Sequence, residues 1–293
     1  MNRKLKKVSI GLGILVVLCA GVYFLLPGVL VEGSIKINCL KANISEKEIK
    51  AGQFTWSYYE AGEKNHETLV LVHGFGANKS RWIENIKALK ELYHVYAPDM
   101  PGFGKTNFLA SENYYIESYA NYLNNFVESH QIKKFHLVGV SMGGLISGYY
   151  AILFPEKILT LTLSDCAGVI APVLSEYQKH YLNTGENLLV YQTVDGFDKI
   201  NRLAYVNPRQ FSYPIKKYLV DEKVKRQEGE TKIFNQMIAS GVNLLGDKLS
   251  SIQSKTLVIW GEQDRIIDVS VTEIIREKVK NARIYIVKDA SHL

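Results

Sequence analysis

Ser141 lies in Gly139-Val140-Ser141-Met142-Gly143, between an apolar run beginning at Phe135 and a helix-compatible run reaching Phe154. A serine hydroxyl is a weak nucleophile unless the chain exposes it and a neighbouring base takes its proton. A sharp strand-to-helix turn meets the first need, lifting the hydroxyl above the end of a sheet. Glycines two residues either side leave room for a strained backbone and for close neighbours. A helix starting at Met142 would aim its free N–H groups at the place where negative charge develops. The five-residue pattern alone is weak evidence, because it recurs by chance. Its meaning depends on whether the chain also supplies an acid and a base.

Two acids follow buried-strand patterns downstream of the serine. Ile158 to Leu163 ends at Ser164-Asp165, and Lys255 to Trp260 runs into Gly261-Glu262-Gln263-Asp264-Arg265. Of the seven histidines, only His292 lies after both acids and beyond a final strand pattern, Arg283 to Val287. That is where a general base reaching back to Ser141 would sit. His73, in His73-Gly74-Phe75-Gly76 after the strand Thr68–Val72, precedes the serine and reads as a brace for its own glycine-rich loop.

The elements needed to position these groups are legible as alternating patterns. Phe54–Tyr59 and His94–Ala97 read as strands. Trp82, Ile83, Ile86 and Leu89 mark one helix, and Ile116, Tyr119, Ala120, Leu123, Phe126 and Val127 another. Strand and helix in alternation argue a doubly wound, mostly parallel sheet. Between residues 169 and 253 the rhythm lapses into short helical patterns broken by Pro172, Pro208 and Pro214. Gly104-Lys105-Thr106 lacks the upstream glycine and the strand–loop–helix context of a phosphate-binding loop.

Composition adds limits. The 293 residues carry a formal net charge of +6, and Arg3, Lys4, Lys6 and Lys7 supply four of the positive charges. The remainder is nearly balanced, so no nucleic-acid partner is expected. Cys19, Cys39 and Cys166 form no C-x-x-C pair, so neither a disulfide framework nor a metal site is expected.

His-Gly-Phe-Gly at 73–76, Asp-Met-Pro-Gly-Phe-Gly at 99–104 and Gly-Val-Ser-Met-Gly-Gly at 139–144, in this order, resemble the α/β-hydrolase superfamily. The nearest likeness is to membrane-anchored monoacylglycerol lipases and related bacterial lipases and esterases. The resemblance spans residues 54 to 293. It implies an α/β-hydrolase fold over residues 52–293, with a cap at about 169–253 inserted after the sixth core strand. It also implies a serine carboxylic-ester hydrolase with Ser141 as nucleophile, Asp264 as orienting acid and His292 as base. The oxyanion would be held by the backbone N–H groups of Phe75 and Met142. Asp264 is preferred to Asp165 on the family position, although Asp268 stands where relatives commonly have proline. No cofactor or metal is implied, and the substrate would be a lipid or small ester. Cap residues Tyr177, Tyr181, Leu188, Leu189, Tyr191, Phe197, Phe211, Met237 and Ile238 would line an acyl pocket. Relatives continue past the position of His292 into a further helix, which implies either a truncated product, the preferred reading, or a poorly held base, and low activity from the chain as written. Two alternatives stay open: a carbon–carbon bond hydrolase of the same fold, and a non-catalytic binding protein. Aspartate-nucleophile relatives are set aside because residue 141 is serine.

Val8 to Val31 carries no charged side chain and is long enough to span a bilayer core. The basic residues before it predict an N-terminus in the cytoplasm and a catalytic domain on the far side. Residues 1–31 are therefore read as a transmembrane anchor in preference to a cleaved signal peptide. Residues 32–51 are read as a connector, with Ser45-Glu46-Lys47-Glu48 as the capping box of a short helix.

Overall fold

A computed structural model describes Leu12 and residues 20–293. Most of the stretch expected to form the membrane anchor lies outside the described residues, as does Cys19. Among the described residues, no helix is long and apolar enough to cross a membrane.

The chain builds an eight-stranded sheet. Its strands are β1 (Ser45–Ala51), β2 (Phe54–Ala61), β3 (Thr68–Val72), β4 (His94–Pro98), β5 (Phe135–Val140), β6 (Ile158–Ser164), β7 (Lys255–Gly261) and β8 (Ala282–Val287). Their order is β1-β2-β4-β3-β5-β6-β7-β8. The first two pairings, β1 with β2 and β2 with β4, are antiparallel. Every later pairing is parallel. The parallel strands β3 and β5 carry near-continuous apolar sequence because helices cover both faces of the sheet.

Residues 32–51 depart from the expected connector. They contribute to α1 (Pro27–Lys41) and to β1, whose seven residues pair with β2 from Ser45 opposite Glu60 to Ala51 opposite Phe54. The Ser-x-x-Glu pattern is thus not a helix start. The alternating charges of Ser45–Lys50 suit an outer strand that faces water and resists further pairing. Cys39, Ala42 and Ile44 are buried in a cluster with Tyr59, Leu69 and Leu71.

The helix expected from Ile116 is α3 (Ile116–Ser129). Its periodic apolar positions are all buried, packing with Trp56 and Phe135 in the main core. The region expected from Arg81 to Leu92 divides into a short 3-10 turn at Lys79–Trp82 and α2 (Ile83–Leu89). Between β6 and β7 the chain forms four helices: α5 (Glu176–Thr184), α6 (Val194–Ala204), α7 (Tyr213–Lys225) and α8 (Gln227–Ala239). They cover the C-terminal ends of the parallel strands. α9 (Val271–Lys278) then leads into β8.

Candidate active site

Ser141 stands between β5 and α4 (Met142–Leu153), with φ 56° and ψ −123°. This left-handed backbone is strained for a residue with a side chain, and tertiary contacts hold it. Ser141 N–H donates to Ser164 O at 2.9 Å, and Ala167 N–H donates to Ser141 O at 3.1 Å. The flanking glycines are required by close approach. A Cβ on Gly143 would lie 2.3 Å from Val72 O, and one on Gly139 would lie 2.2 Å from Gly143 O. Any side chain there would push α4 off the sheet.

The loop after β3 is fixed by His73. Met100 N–H donates to His73 Nε2 at 2.9 Å, so Nδ1 carries the proton and donates to Gly74 O at 2.8 Å. Burial holds the His73 imidazole below its usual range, in keeping with this neutral form. Its brace role is therefore structural. A second brace was not evident in the sequence. The buried Asp99 carboxylate accepts from Lys79 N–H at 2.6 Å, Lys79 Nζ at 2.5 Å and Lys105 N–H at 2.8 Å. The only hint was an acid at the end of a buried strand. Among the described residues, the N–H groups of Phe75 and Met142 donate to no other group. Both residues line the same cavity as Ser141.

His292 and Asp264 meet at the ends of β8 and β7. His292 Nδ1 lies 2.8 Å from Asp264 Oδ2, both side chains being buried. The other Asp264 oxygen accepts from Ile266 N–H at 2.8 Å and Ile267 N–H at 3.0 Å. With Nδ1 donating to the carboxylate, Nε2 is the ring's free lone pair. Burial alone would depress the His292 pKa, but the Asp264 charge and hydrogen bond outweigh it and raise the value above the usual imidazole range. Asp268 accepts from Ser270 N–H at 3.0 Å, forming the local turn that proline would otherwise set.

The loop bearing His292 is held by the cap. Ser291 Oγ donates to Leu203 O at 3.0 Å, and Leu293 N–H donates to Ala204 O at 2.9 Å. A poorly held base, the less preferred of the two options read from the sequence, is not what these bonds show, because α6 supplies carbonyl acceptors that sequence reading did not anticipate.

Asp165 occupies the neighbouring strand end, with a carboxylate oxygen within 4.8 Å of an Asp264 carboxylate oxygen and of an imidazole nitrogen of His292. It accepts from Gly261 N–H at 2.9 Å and Ser164 Oγ at 2.8 Å. Burial pushes its pKa up to about 6, partly offset by His292. Because Ser141 bonds to both Ser164 and Ala167, the Asp165 turn links the serine to the histidine end of the sheet.

Ser141 opens into a cavity of about 510 Å³. Of the cap residues expected to line it, Tyr177, Tyr181, Leu189, Met237 and Ile238 do so. Leu188 packs instead in the cap's own core, and Tyr191 and Phe211 each meet the Phe197 ring edge-to-face. Leu145, Val169 and Phe234 complete the wall without having been expected. Ile170, Leu174, Leu182 and Val242 line the cavity and are also exposed, so its rim is apolar.

A family profile described as alpha/beta hydrolase fold matches residues 67–293. The monoacylglycerol lipase abhd6-A of Xenopus laevis is 30% identical over 251 residues, covering 82% of this chain and 74% of its own length. Lipase 1 of Psychrobacter immobilis is 28% identical, covering 88% of this chain and 82% of its own. Among solved structures, a bacterial membrane phospholipase A superposes with a TM-score of 0.86 at 34% identity, over 98% of this chain and 92% of that one. Sheet order, strained serine turn and sequence relationship agree: the chain belongs to the α/β-hydrolase family.

Proposed function

We propose that the protein is a membrane-tethered serine hydrolase that cleaves carboxylic esters of lipids, with monoacylglycerols as the leading substrate. The observation that carries this reading is the Asp264–His292 hydrogen bond of 2.8 Å at the same end of the sheet as Ser141, which opens on an apolar cavity.

In this reading His292 Nε2 takes the Ser141 proton as Oγ attacks the ester carbonyl. Asp264 keeps the imidazole in the tautomer that leaves Nε2 free and stabilises the imidazolium that forms. The N–H groups of Phe75 and Met142 receive the oxyanion. Collapse expels the alcohol, which takes the proton from His292 and leaves an acyl group on Ser141. Water then attacks with His292 again as base, releasing the fatty acid and restoring the serine. The acyl chain lies in the apolar cavity beneath the cap.

Lipase relatives and the exposed apolar rim support a lipid ester in preference to a soluble one. The charge-free run Val8–Val31 supports a single anchor with the N-terminus in the cytoplasm and the catalytic domain across the membrane. A second reading, hydrolysis of a phospholipid ester, is favoured by the 34% identity to the membrane phospholipase A.

A fluorophosphonate probe tests the chemistry. The intact chain is expected to label and Ser141→Ala to remain unlabelled. Equal labelling of both, or of neither, defeats the assignment. Release of fatty acid from monoacylglycerols faster than from short soluble esters is the expected substrate order.

A further inference from the structure

Lys223, in α7, is a buried cation that the proposed chemistry does not use. Its ammonium pairs with the carboxylate of Glu230 in α8, and both side chains are buried. Arg226, partly exposed, puts Nε 3.6 Å from the other Glu230 oxygen. Burial holds the Lys223 pKa below the usual lysine range even though the Glu230 charge opposes the shift. Folding therefore works against this cation. A buried ion pair contributes little to stability that well-packed apolar side chains of similar volume would not. What the pair touches points to its use.

The ammonium lies over two aromatic rings, 5.4 Å from the centre of Phe75 and 5.2 Å from the centre of Tyr191. Phe75 belongs to the glycine-rich loop after β3, and Tyr191 to the cap. Attraction between a cation and a ring face grows when the cation is removed from water, as it is here. The Phe75 ring also meets Phe103 at 5.5 Å and Phe234 at 5.8 Å, both edge-to-face. It is thus held from the cap by Lys223 and Phe234, and from the loop after β4 by Phe103. Next in the chain, Gly76 has φ 68°, and a Cβ there would lie 2.5 Å from Lys223 Nζ. Glycine at this position permits the left-handed turn and lets the ammonium rest against the loop.

We propose that Lys223 and Glu230 are positioning residues for the oxyanion hole: the cap's buried ion pair clamps the Phe75 ring and so fixes the direction of the Phe75 N–H. This rests on the reading of that N–H as an oxyanion donor. Lys223 acts through Phe75 and touches no reacting atom. The effect can be large, because a donor misplaced by about 1 Å costs up to about 10²-fold in rate. Losing a donor outright costs about 10²–10³-fold.

The test uses the full chain carrying Lys223→Met together with Glu230→Leu, which replaces the pair by apolar side chains and leaves neither charge buried alone. Its melting temperature should stay within about 5 °C of the parent. With an ester substrate, kcat should fall about tenfold or more while KM stays within about threefold. A trifluoromethyl ketone, to which Ser141 adds to give a tetrahedral oxyanion, should lose affinity by the factor that kcat loses. The ether analogue of the ester forms no such adduct and should inhibit as before. A folded double variant that keeps the parent's kcat overturns the proposal, and so does a loss of kcat with ketone affinity unchanged. Phe75→Leu gives a second route if the double variant fails to fold. It removes the ring, keeps the N–H, and is expected to lose both kcat and ketone affinity; retention of both overturns the clamp. A parent chain that neither hydrolyses esters nor binds the ketone strikes the hydrolase reading and this assignment together. A parent that does both, matched by its variants, strikes the assignment alone.

Discussion

The strand ends beneath the cavity and the cap above it are built on opposite principles. The strand ends are strained and tightly bonded: Ser141 and Asp165 both adopt positive φ, at 56° and 44°. Their carboxylates accept several hydrogen bonds each, and their glycines admit backbone contacts that no side chain would allow. The cap wall is apolar and partly exposed, contributing Tyr181, Leu182, Ile238 and Val242. Dispersion and burial tolerate exchange of one apolar side chain for another. A directional proton relay does not. On the proposed function, reaction chemistry is tied to the strand ends, while choice of acyl chain is left to the cap.

The sharpest way to break this division is at the serine. Ser141→Ala should lower ester hydrolysis by about 10⁶-fold without unfolding the protein, as read by steady-state kinetics and thermal melting. Next come the two acids. Asp264→Asn should cost about 10⁴-fold in kcat by favouring the wrong imidazole tautomer. Asp165→Asn keeps an acceptor for Gly261 N–H and should cost less than about tenfold. If the two variants lose activity equally, the acids share one role and the assignment of Asp264 is wrong.

Gly143→Ala probes the rigidity of the strand ends. The added carbon would meet Val72 O and His73 O at 2.3 and 2.4 Å. A stability loss of about 3 kcal/mol or more is expected in denaturant titration. A near-neutral result would mean that the turn can relax.

The pH profile has a smaller effect, about tenfold per unit on its acid limb. His292 must be neutral to accept a proton. Its raised pKa therefore places the loss of kcat/KM on acidification above the ordinary imidazole value of about 6.5. The same shift has a definite stability sign. The imidazolium–Asp264 pair stabilises the fold fully below the unfolded pKa, and that contribution disappears as pH rises through the folded one. Asp264→Asn should move the kinetic limb downward. Smallest of all, Leu182→Asn at the exposed rim should raise KM for long-chain esters a few-fold, by about 1 kcal/mol of lost apolar contact, and leave short esters unaffected.

The sequence was most readable where structure is dictated locally. Gly139, Ser141 and Gly143 announce their turn because the backbone geometry demands those residue types. α3 is visible because its buried face recurs at helical spacing. His292 and Asp264 could be nominated by their order after strand patterns, though only the fold brings their side chains to 2.8 Å. Ser45–Ala51 misled because a capping pattern describes one local option, while pairing along β2 is a distant contact. The cap was half legible for a related reason. Tyr181 and Phe197 look alike in sequence, yet one faces the cavity and the other packs against Tyr191 and Phe211.

The central claim is covalent and can be read as a mass. A long-chain monoacyl ester is mixed with the protein, quenched in acid within the first turnovers, and the chain is digested for peptide mapping. The account predicts the acyl increment on the peptide containing Ser141 and its absence in Ser141→Ala. Ester cleavage with no acylated peptide, or with the acyl group on another residue, would contradict it.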